Sequence, residues 1–311
     1  MPQWNCACSN CRDARNGRVQ VLTQSCVAIG DGQHWFLVNA SPDLRVQIEA
    51  HKDLQPLPNT PRNTPLAGVL LTNADLDHVL GLFLLREGGP LDVFATANVR
   101  ATLDQALGLT SILDNFCGIK WHEPPIEFMP LSASSHRSQR LLYRGIPLPA
   151  KPPLFAKASL DDQSRSPSVA TGSATDIGIG SRLTSAATKN VAYQFLNPQT
   201  KRRLLVAPDV GHVTEELTAA MANSDAVLFD GTFWSGDEMT QVRPGARTAE
   251  DMGHVTIRDI SLLLLAGLAA RQKVYIHINN TNPVLSRKSP ERKAVEAAGI
   301  MVGYDGLEFE L

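Results

Sequence analysis

The feature of the sequence that most constrains the fold is a repeated order of apolar strand, polar turn and helix. The apolar run "VLLT" leads into "NADLDH" and a helical pattern. Later in the chain "LLVA", "AVLFD" and "VYIH" are each followed by a polar turn. Alternating units of this kind are typical of a layered α/β protein. We therefore predict an α/β chain in which several strands end at one common edge.

Length and composition narrow the class of protein. The chain has 311 residues and 43% hydrophobic residues, which can supply the core of one large domain spanning 1–311. Its formal net charge of -2 argues against a nucleic-acid partner. The sequence has no apolar run long enough for a transmembrane helix and does not begin like a signal peptide, so we expect a cytoplasmic location without membrane insertion.

Three segments give further structural expectations. Residues 19–48 read as two strands and a turn, followed by a loop and a short helix. The helical pattern after "NADLDH" is closed by Gly88 and Gly89, and the chain ends with a helix and an alternating strand. Residues from about 156 to 190 are rich in Ser, Thr, Ala and Gly, which favours a flexible insertion.

Potential metal ligands lie at the ends of these apolar runs. They are Asp75, Asp77, His78, Asp209, Asp230 and His277. Carboxylate oxygens and imidazole nitrogens suit iron, zinc or manganese. For the D-x-D-H stretch alone, a helix-capping Asp beside an incidental surface His is an equally good interpretation. Four such strand ends in one chain favour a common metal site. His254 begins another helix, where it is either a proton carrier or ligand, or simply a capping residue.

Three cysteines form a separate candidate metal site. Cys6, Cys8 and Cys11 have the spacing C-x-C-x-x-C within residues 1–15. Three thiolates from one loop suit structural zinc, which takes four ligands. A redox cluster or chance thiols are the alternatives. Cys26 and Cys117 lie in apolar stretches and are predicted core residues.

Several polar residues near the strand ends are candidates for substrate binding. Asn279 and Asn280 belong to the amide-rich loop "INNTNP", which suits a substrate with carboxylate and amino groups. The alternative is a loop that satisfies its own backbone. Arg45 could bind a carboxylate, although an internal salt bridge with Asp43 is the simpler interpretation.

The order and spacing of these residues resemble the metallo-β-lactamase superfamily. Its signature H-x-H-x-D-H matches N-x-D-x-D-H at residues 73–78, with Asn73 and Asp75 in place of two histidines. The resemblance implies a four-layered αβ/βα sandwich. It also implies that Asp77, His78, Asp209 and His277 are metal ligands and that His254 transfers protons. The lost histidines favour one metal over the two zinc ions of hydrolases. Hydrolysis by zinc is therefore a less favoured hypothesis than the two functions given below.

Further motifs narrow the resemblance to the B family of pyrroloquinoline quinone (PQQ) biosynthesis. They include "PQWNCACSNCR", "DLDHVLGLFLLREG", "MGHVTI" and "HINNTNPVL". The resemblance implies a non-haem Fe(II) enzyme that uses O2 to hydroxylate the tyrosine ring of a cross-linked Glu-Tyr intermediate cut from a precursor peptide. The alternative is a soluble carrier of PQQ or its precursor toward the periplasm. Other PQQ biosynthesis proteins are candidate partners.

The sequence departs from the family pattern in two places, and each departure leads to a structural prediction. Family members usually have a strand and a Gly-rich turn before "PQWNC", so the first strand is expected to be missing or truncated here. In relatives with the cysteine loop, the fourth zinc ligand follows the last active-site His by three positions. That position is Asn280, a poor zinc ligand, and we expect His34, His51 or an aspartate to replace it.

Overall fold

The apolar runs form the strands of two sheets in the computed structural model of the chain, which describes residues 1–58, 61–134, 136–149 and 189–311. The strands are β1 (Val27–Gly30), β2 (Trp35–Val38), β3 (Leu66–Leu70), β4 (Leu91–Phe94), β5 (Ile119–His122), β6 (Met129–Ala133), β7 (His136–Pro149), β8 (Lys189–Leu196), β9 (Arg203–Ala207), β10 (Ala226–Asp230), β11 (Gln272–Ile276) and β12 (Met301–Val302). The first sheet has the order β1-β2-β3-β4-β5. The second has the order β12-β11-β10-β9-β8-β7-β6.

Both sheets are mixed. Strands β2 to β5 run parallel to one another, and β1 pairs antiparallel with β2. In the second sheet β9 to β12 are parallel, whereas β6 to β9 pair antiparallel. Parallel neighbours require crossover connections, and helices supply them. The carboxyl ends of β3, β9, β10 and β11 are therefore available to carry polar turns.

The helices lie outside the two sheets. They are Ser9–Arg15, Leu44–Ala50, Leu76–Val79, Ala97–Leu107, Leu109–Asp114, Glu215–Ala222, Glu238–Val242, Ala249–Met252, Leu262–Ala266 and Pro290–Ala297. Short 3-10 turns cover Lys52–Leu54, Leu80–Leu85 and Pro283–Leu285, and a π-helical turn covers Ile257–Ser261.

Side-chain packing confirms the predicted four-layered αβ/βα arrangement. Phe36 on β2 packs with Tyr193 and Val206 of the other sheet, whereas its neighbour Leu37 packs with Leu103 of a helix. On the other side of the molecule a third apolar cluster joins the second sheet to its own helices. Side chains alternate between faces along a strand, so each sheet is covered on both sides. No helix of the described ranges is long and apolar enough to cross a membrane.

Three sequence expectations differ in extent from the structure. The first hairpin strand is confined to Val27–Gly30, because β2 ends at Val38 and Asn39 turns the chain with a φ of 65°. The predicted C-terminal strand is absent from residues 303–311, where Leu307 and Phe309 pack on the core between the sheets. The predicted insertion lies outside the described residues up to 188, and residues 189 and 190 begin β8.

The helix after "NADLDH" is shorter than predicted. It covers Leu76–Val79 and continues as the 3-10 turn Leu80–Leu85. Gly81 approaches Ala40 closely, with its N–H donating to the Ala40 carbonyl at 2.9 Å. A Cβ at Gly81 would lie 2.4 Å from the Ser41 carbonyl oxygen, so only glycine fits. This contact fixes the turn that carries His78.

Tyr193 joins the two sheets close to the ends of their strands. Its buried hydroxyl donates to the carbonyl of Leu71, just beyond β3, at 2.9 Å and lies 3.2 Å from that of Phe94. A buried carbonyl that loses its donor costs more than the hydrogen bond itself contributes. The hydroxyl therefore stabilises the junction on which the polar turns rest.

We expect Tyr193→Phe to lower the free energy of unfolding by about 1–2 kcal/mol, because it leaves the Leu71 carbonyl without its side-chain donor. Urea unfolding would measure the change. The matched control is Tyr304→Phe, whose ring is 52% exposed and whose loss of a hydroxyl should be neutral. Equal stabilities of the two variants would contradict the role given to Tyr193.

Candidate metal centre

The polar turns of the two sheets meet at one rim. Asp77 Oδ2 follows β3 and lies 3.2 Å from His277 Nε2, which follows β11. Asn73 Nδ2 lies 2.5 Å from Asp209 Oδ2 beyond β9. His254 Nδ1 lies 2.8 Å from Asp230 Oδ2 at the end of β10. The rim predicted from the strand ends is thus present, with side chains from both sheets.

Of the two ring nitrogens of His78, only Nδ1 makes a hydrogen bond within the described residues. It is 1% exposed, and its Nδ1 lies 2.6 Å from Asn73 Oδ1, which only accepts hydrogen bonds. Nδ1 therefore carries the proton. Among the described residues, Nε2 is buried and has no hydrogen-bond partner. Burial lowers the pKa of His78 to about 4, which keeps the imidazole neutral and its Nε2 lone pair available.

Thr232 orients the ring of His277 through a hydrogen bond at Nδ1. The Thr232 hydroxyl donates to Asp230 Oδ1 at 2.6 Å and lies 2.7 Å from His277 Nδ1. Since a hydroxyl has one proton, this geometry makes Nδ1–H of His277 the donor and leaves Nε2 toward Asp77. His277 has a φ of 56°, a left-handed conformation that neighbouring contacts must maintain in a non-glycine residue.

Asp77, His78 and His277 form one candidate ligand set, called here the Asp77 cluster. One ligand atom from each lies within 4.8 Å of the others. Burial would raise the pKa of Asp77, but His78 and His277 hold it below its ordinary value. Burial would lower the pKa of His277, but Asp77 raises it, so a metal ion bound at His277 Nε2 would displace a proton. Two imidazole nitrogens and a carboxylate fit a divalent transition metal. The buried, unpartnered Nε2 of His78 is the observation that a bound cation would explain.

Asp230 and His254 form a hydrogen-bonded pair beside that cluster. Both oxygens of the fully buried Asp230 accept hydrogen bonds, from Thr232 and from the N–H of Val210 as well as from His254. Burial would lower the pKa of His254, but Asp230 raises it to about 9. The rings of His254 and His277 stack at 5.7 Å. Although Asp230, His254 and His277 are also within metal-binding distance of one another, Asp230 already has a full set of donors.

Asp209 and Asp75 lie on the rim but outside the Asp77 cluster. Asp209 Oδ2 accepts from the side-chain amides of Asn73 at 2.5 Å and Asn190 at 2.8 Å. Asp75 Oδ2 accepts from the same Asn73 amide at 3.0 Å. Burial, followed by the charges of Asp209 and Asp77, raises the pKa of Asp75 to about 7. Asn73, which stands where the superfamily has a histidine, thus links two carboxylates.

The three cysteines also converge. The Sγ atoms of Cys6, Cys8 and Cys11, called here the cysteine cluster, lie within 4.8 Å of one another, and all three thiols are free. The side-chain amide of Asn280 lies 3.2, 3.6 and 3.4 Å from the three sulfurs in that order. Three convergent thiols with one polar neighbour fit a tetrahedral zinc site.

The expected replacements for the fourth ligand do not reach the cysteine cluster. His34 lies in the turn between β1 and β2, and His51 Nδ1 lies 3.1 Å from Glu308. The cluster has no aspartate among the described residues. Asn280, which the sequence argument set aside as a poor ligand, is the residue at the sulfurs.

The three predicted substrate-binding residues lie in three different surroundings. Asn280 directs its amide to the cysteine cluster. Asn279 donates to Thr281 Oγ1 at 2.7 Å and to Met239 Sδ at 3.2 Å. Arg45 is exposed on the helix Leu44–Ala50 and, within the described part of the chain, makes no salt bridge with Asp43. His212, another strand-end histidine, is exposed in its loop.

Sequence reasoning missed Thr232 and Asn190. Thr232 directly follows the strand-end pair Asp230 and Gly231, and its position could have been recognised from "FDGT". Asn190 was assigned to the insertion, although it immediately precedes the apolar run "VAYQFL". A polar residue at the start of a buried strand is a signal that could have found it.

Comparison with known proteins agrees with this architecture. Residues 34–278 match the family model described as a beta-lactamase superfamily domain. Coenzyme PQQ synthesis protein B from Ruegeria pomeroyi is 38% identical over 100% of this chain and 96% of its own length. The Cupriavidus necator protein of the same name is 37% identical over 100% and 95%. The chain belongs to the coenzyme PQQ synthesis protein B family.

Solved structures extend the comparison to the fold of this family. The crystal structure of Zn2+-bound PqqB from Methylobacterium extorquens has a TM-score of 0.80 and 35% identity, covering 100% of this chain and 95% of that one. A diphosphatase of the PhnP family has a TM-score of 0.60 at 15% identity, covering 100% and 92%, and shows the shared fold alone. The metallo-β-lactamase fold expected from the sequence is confirmed.

We expect Thr232→Val to weaken divalent-metal binding at the Asp77 cluster by about 10–100-fold, because residues that orient a ligating histidine contribute on that scale. Valine keeps the shape but cannot accept the Nδ1–H of His277. Titration with Mn2+, followed by electron paramagnetic resonance, would measure the affinity. Thr240→Val removes a hydroxyl that donates only to the Asp237 carbonyl and should leave the affinity unchanged.

We expect Cys8→Ala to lose about one equivalent of bound zinc and to lower Tm, because binding free energy at a structural zinc site adds to folding stability. Elemental analysis with thermal unfolding would test both. Cys117→Ala removes a buried thiol outside the cysteine cluster and should retain the zinc. Unchanged zinc stoichiometry in Cys8→Ala would contradict a structural site at these cysteines.

Proposed function

We propose that this chain acts in PQQ biosynthesis as a single-metal Fe(II) enzyme that hydroxylates the tyrosine ring of the cross-linked Glu-Tyr intermediate. Family membership supports the pathway, since the relatives are coenzyme PQQ synthesis proteins. The Asp77 cluster supports the type of chemistry. The substrate is a small molecule derived from a peptide, and other proteins of the pathway are the candidate partners.

One observation carries the proposal: the Asp77 cluster consists of two histidines and one carboxylate, with a buried imidazole nitrogen that has no hydrogen-bond partner among the described residues. Ligation by two histidines and one carboxylate, with positions left open, is the arrangement used by non-haem Fe(II) oxygenases. A ferrous ion bound by Asp77, His78 and His277 would supply the activation of O2. The Zn2+ in the PqqB crystal structure belongs to that protein and does not identify the metal used here.

The rest of the rim argues against two-metal hydrolysis. A second metal would need Asp209 and the residues in place of the missing histidines, Asn73 and Asp75. The Asn73 amide instead donates to both carboxylates, and Asn190 donates to Asp209 as well. These amides are all directed at Oδ2 of the two carboxylates, which reduces the number of lone pairs open to a bridging metal. The site therefore favours one metal.

Protein groups supply the proton handling around this metal. With its pKa raised to about 9 by Asp230 against the effect of burial, His254 is protonated at neutral pH. Each ring hydroxylation consumes one O2, two electrons and two protons, and releases one water. We assign His254 as a proton donor and Asp75 as a second proton carrier, with an external two-electron reductant required. Arg45, an exposed guanidinium, is our candidate contact for a substrate carboxylate, and Asn279 for its polar groups.

The test is oxygen uptake by anaerobically purified protein reconstituted with Fe(II), with ascorbate as the reductant, in the presence and absence of the cross-linked Glu-Tyr compound. We expect substrate-dependent uptake, and its loss by at least about 100-fold in His78→Ala, since even partners of metal ligands contribute 10–100-fold. His212→Ala is the matched control, because His212 is an exposed histidine outside the Asp77 cluster.

Three results would decide between the candidate functions. Uptake that requires the compound and His78, with hydroxylated product by mass spectrometry, supports the hydroxylase. Tight binding of the compound by the Fe(II)-loaded protein without oxygen uptake would replace it with the soluble carrier. Equal uptake by the wild-type chain and His78→Ala would show that the reaction does not depend on the Asp77 cluster.

A further inference from the structure

One short segment belongs to both metal-binding clusters. Residues 277–282, called here the connecting segment, begin with His277 of the Asp77 cluster and include Asn280 at the cysteine cluster. Two residues, Ile278 and Asn279, lie between them. A displacement at one end is therefore transmitted over a few backbone bonds to the other.

The N-terminal loop holds the connecting segment from one side. The Asn280 amide lies within 3.6 Å of all three sulfurs, and Cys8 Sγ lies 3.5 Å from the Asn280 carbonyl. Asn10, which is 5% exposed, donates its amide to the carbonyls of Asn280 at 3.0 Å and Asn282 at 2.9 Å. These contacts join parts of the chain separated by about 270 positions.

The end of β10 holds the segment from the other side. Asn279 N–H donates to the Thr232 carbonyl at 3.1 Å. The fully buried Asn282 donates its amide to the carbonyl of Gly231 at 2.9 Å. His277, two positions before Asn279, adopts a left-handed conformation, which costs free energy and persists only where neighbouring contacts maintain it. The contacts on both sides thus hold the backbone that leads away from this candidate ligand.

Metal at the cysteine cluster would tighten one of the two sides. Three neighbouring thiols without a cation are joined only by weak hydrogen bonds through sulfur, whereas thiolates bound to zinc are fixed in a tetrahedron. Rotating the Asn280 amide by 180° would present its oxygen in place of its nitrogen to an ion at the sulfurs. A carbonyl-type oxygen at that position completes four ligands from the protein.

We propose that Asn280 is a positioning residue through which metal binding at the cysteine cluster raises the affinity of the Asp77 cluster for its own metal. Zinc bound by the three cysteines and Asn280 fixes the connecting segment and with it the conformation of His277. The inference rests on the Asp77 cluster being a metal site, as in the proposed function, but not on the reaction that occurs there.

Such coupling between two binding sites is reciprocal, and its usual size is known from other proteins. If zinc at the cysteine cluster tightens metal binding at the Asp77 cluster by some factor, the second metal tightens zinc binding by the same factor. Coupling between protein sites commonly amounts to about 5–150-fold. We expect a factor of about 10 in the wild-type chain and a factor near 1 in Asn280→Ala.

Mn2+ is the probe for the Asp77 cluster, because it favours carboxylate and imidazole and binds thiolates poorly, whereas one equivalent of Zn2+ prefers the cysteines. Mn2+ affinity is measured by electron paramagnetic resonance on chelator-treated full-length protein, with and without that equivalent of Zn2+. In the wild-type chain Zn2+ should tighten Mn2+ binding. In Asn280→Ala and Cys8→Ala it should not. Asn280→Asp, which restores an oxygen ligand, should recover the zinc effect.

Two further measurements separate positioning from general stability. Leu113→Ala, which lowers stability in a helix outside both clusters and outside the connecting segment, should keep the full zinc effect. Hydrogen exchange in the wild-type chain should slow in the connecting segment when Zn2+ is added, which tests the idea even if Asn280→Ala fails to fold. An identical zinc effect in wild type and Asn280→Ala, or no zinc effect in either, would overturn the proposal. Since no readout involves turnover, absent oxygen uptake with intact coupling would reject only the hydroxylase.

Discussion

The burial of His78 is the constraint on which the rim depends. An imidazole that is 1% exposed loses its hydration, and burial lowers its pKa to about 4. The cost of burying it is offset at Nδ1 by Asn73, whereas Nε2 makes no hydrogen bond within the described residues and has only the Asp77 carboxylate 3.8 Å away. Buried polar atoms of folded proteins are rarely without a partner. The Nε2 atom therefore lacks a hydrogen bond at the point where Asp77 and His277 approach, and a cation bound there would satisfy all three residues at once.

The replacement of superfamily histidines changes what the neighbouring carboxylates can do. A histidine at position 73 would offer one lone pair, whereas Asn73 offers an acceptor to His78 and donors to Asp75 and Asp209. The amide thereby orients His78 and engages Oδ2 of both carboxylates. The same residue thus supports the Asp77 cluster and leaves fewer carboxylate lone pairs for a second metal. The same reasoning applies to Asp230, whose oxygens are directed to Thr232, Val210 and His254.

Much of the fold and the location of the rim could be predicted from the sequence, because apolar runs that end in Asp or His reveal buried strands and their carboxyl ends. The role of each polar side chain at the rim could not be predicted from the sequence. Asp77 and Asp209 are both strand-end carboxylates, and only the positions of Asn73 and Asn190 show that Asp209 Oδ2 accepts from two amides whereas Asp77 Oδ2 faces His277. The lengths of some strands and helices could not be predicted either. The alternating tail at Leu307 and Phe309 packs on the core without strand pairing, and the approach of Gly81 to Ala40 shortens the helix that carries His78.

The sequence separation of the cysteine cluster from Asn280 gives that site a thermodynamic meaning beyond local structure. A cross-link between Cys8 and Asn280, 272 positions apart, removes more entropy from the unfolded chain than a short clip would, because the closure entropy rises with loop length. Metal bound only by the folded chain adds stability according to its concentration relative to its Kd. The N-terminal loop contributes few buried apolar side chains of its own, with Cys11 and Ala14 among them, and Trp4 is 87% exposed. Its attachment therefore depends largely on polar contacts such as those to the connecting segment, and a metal bound at the cysteine cluster would act on the segment that begins with His277.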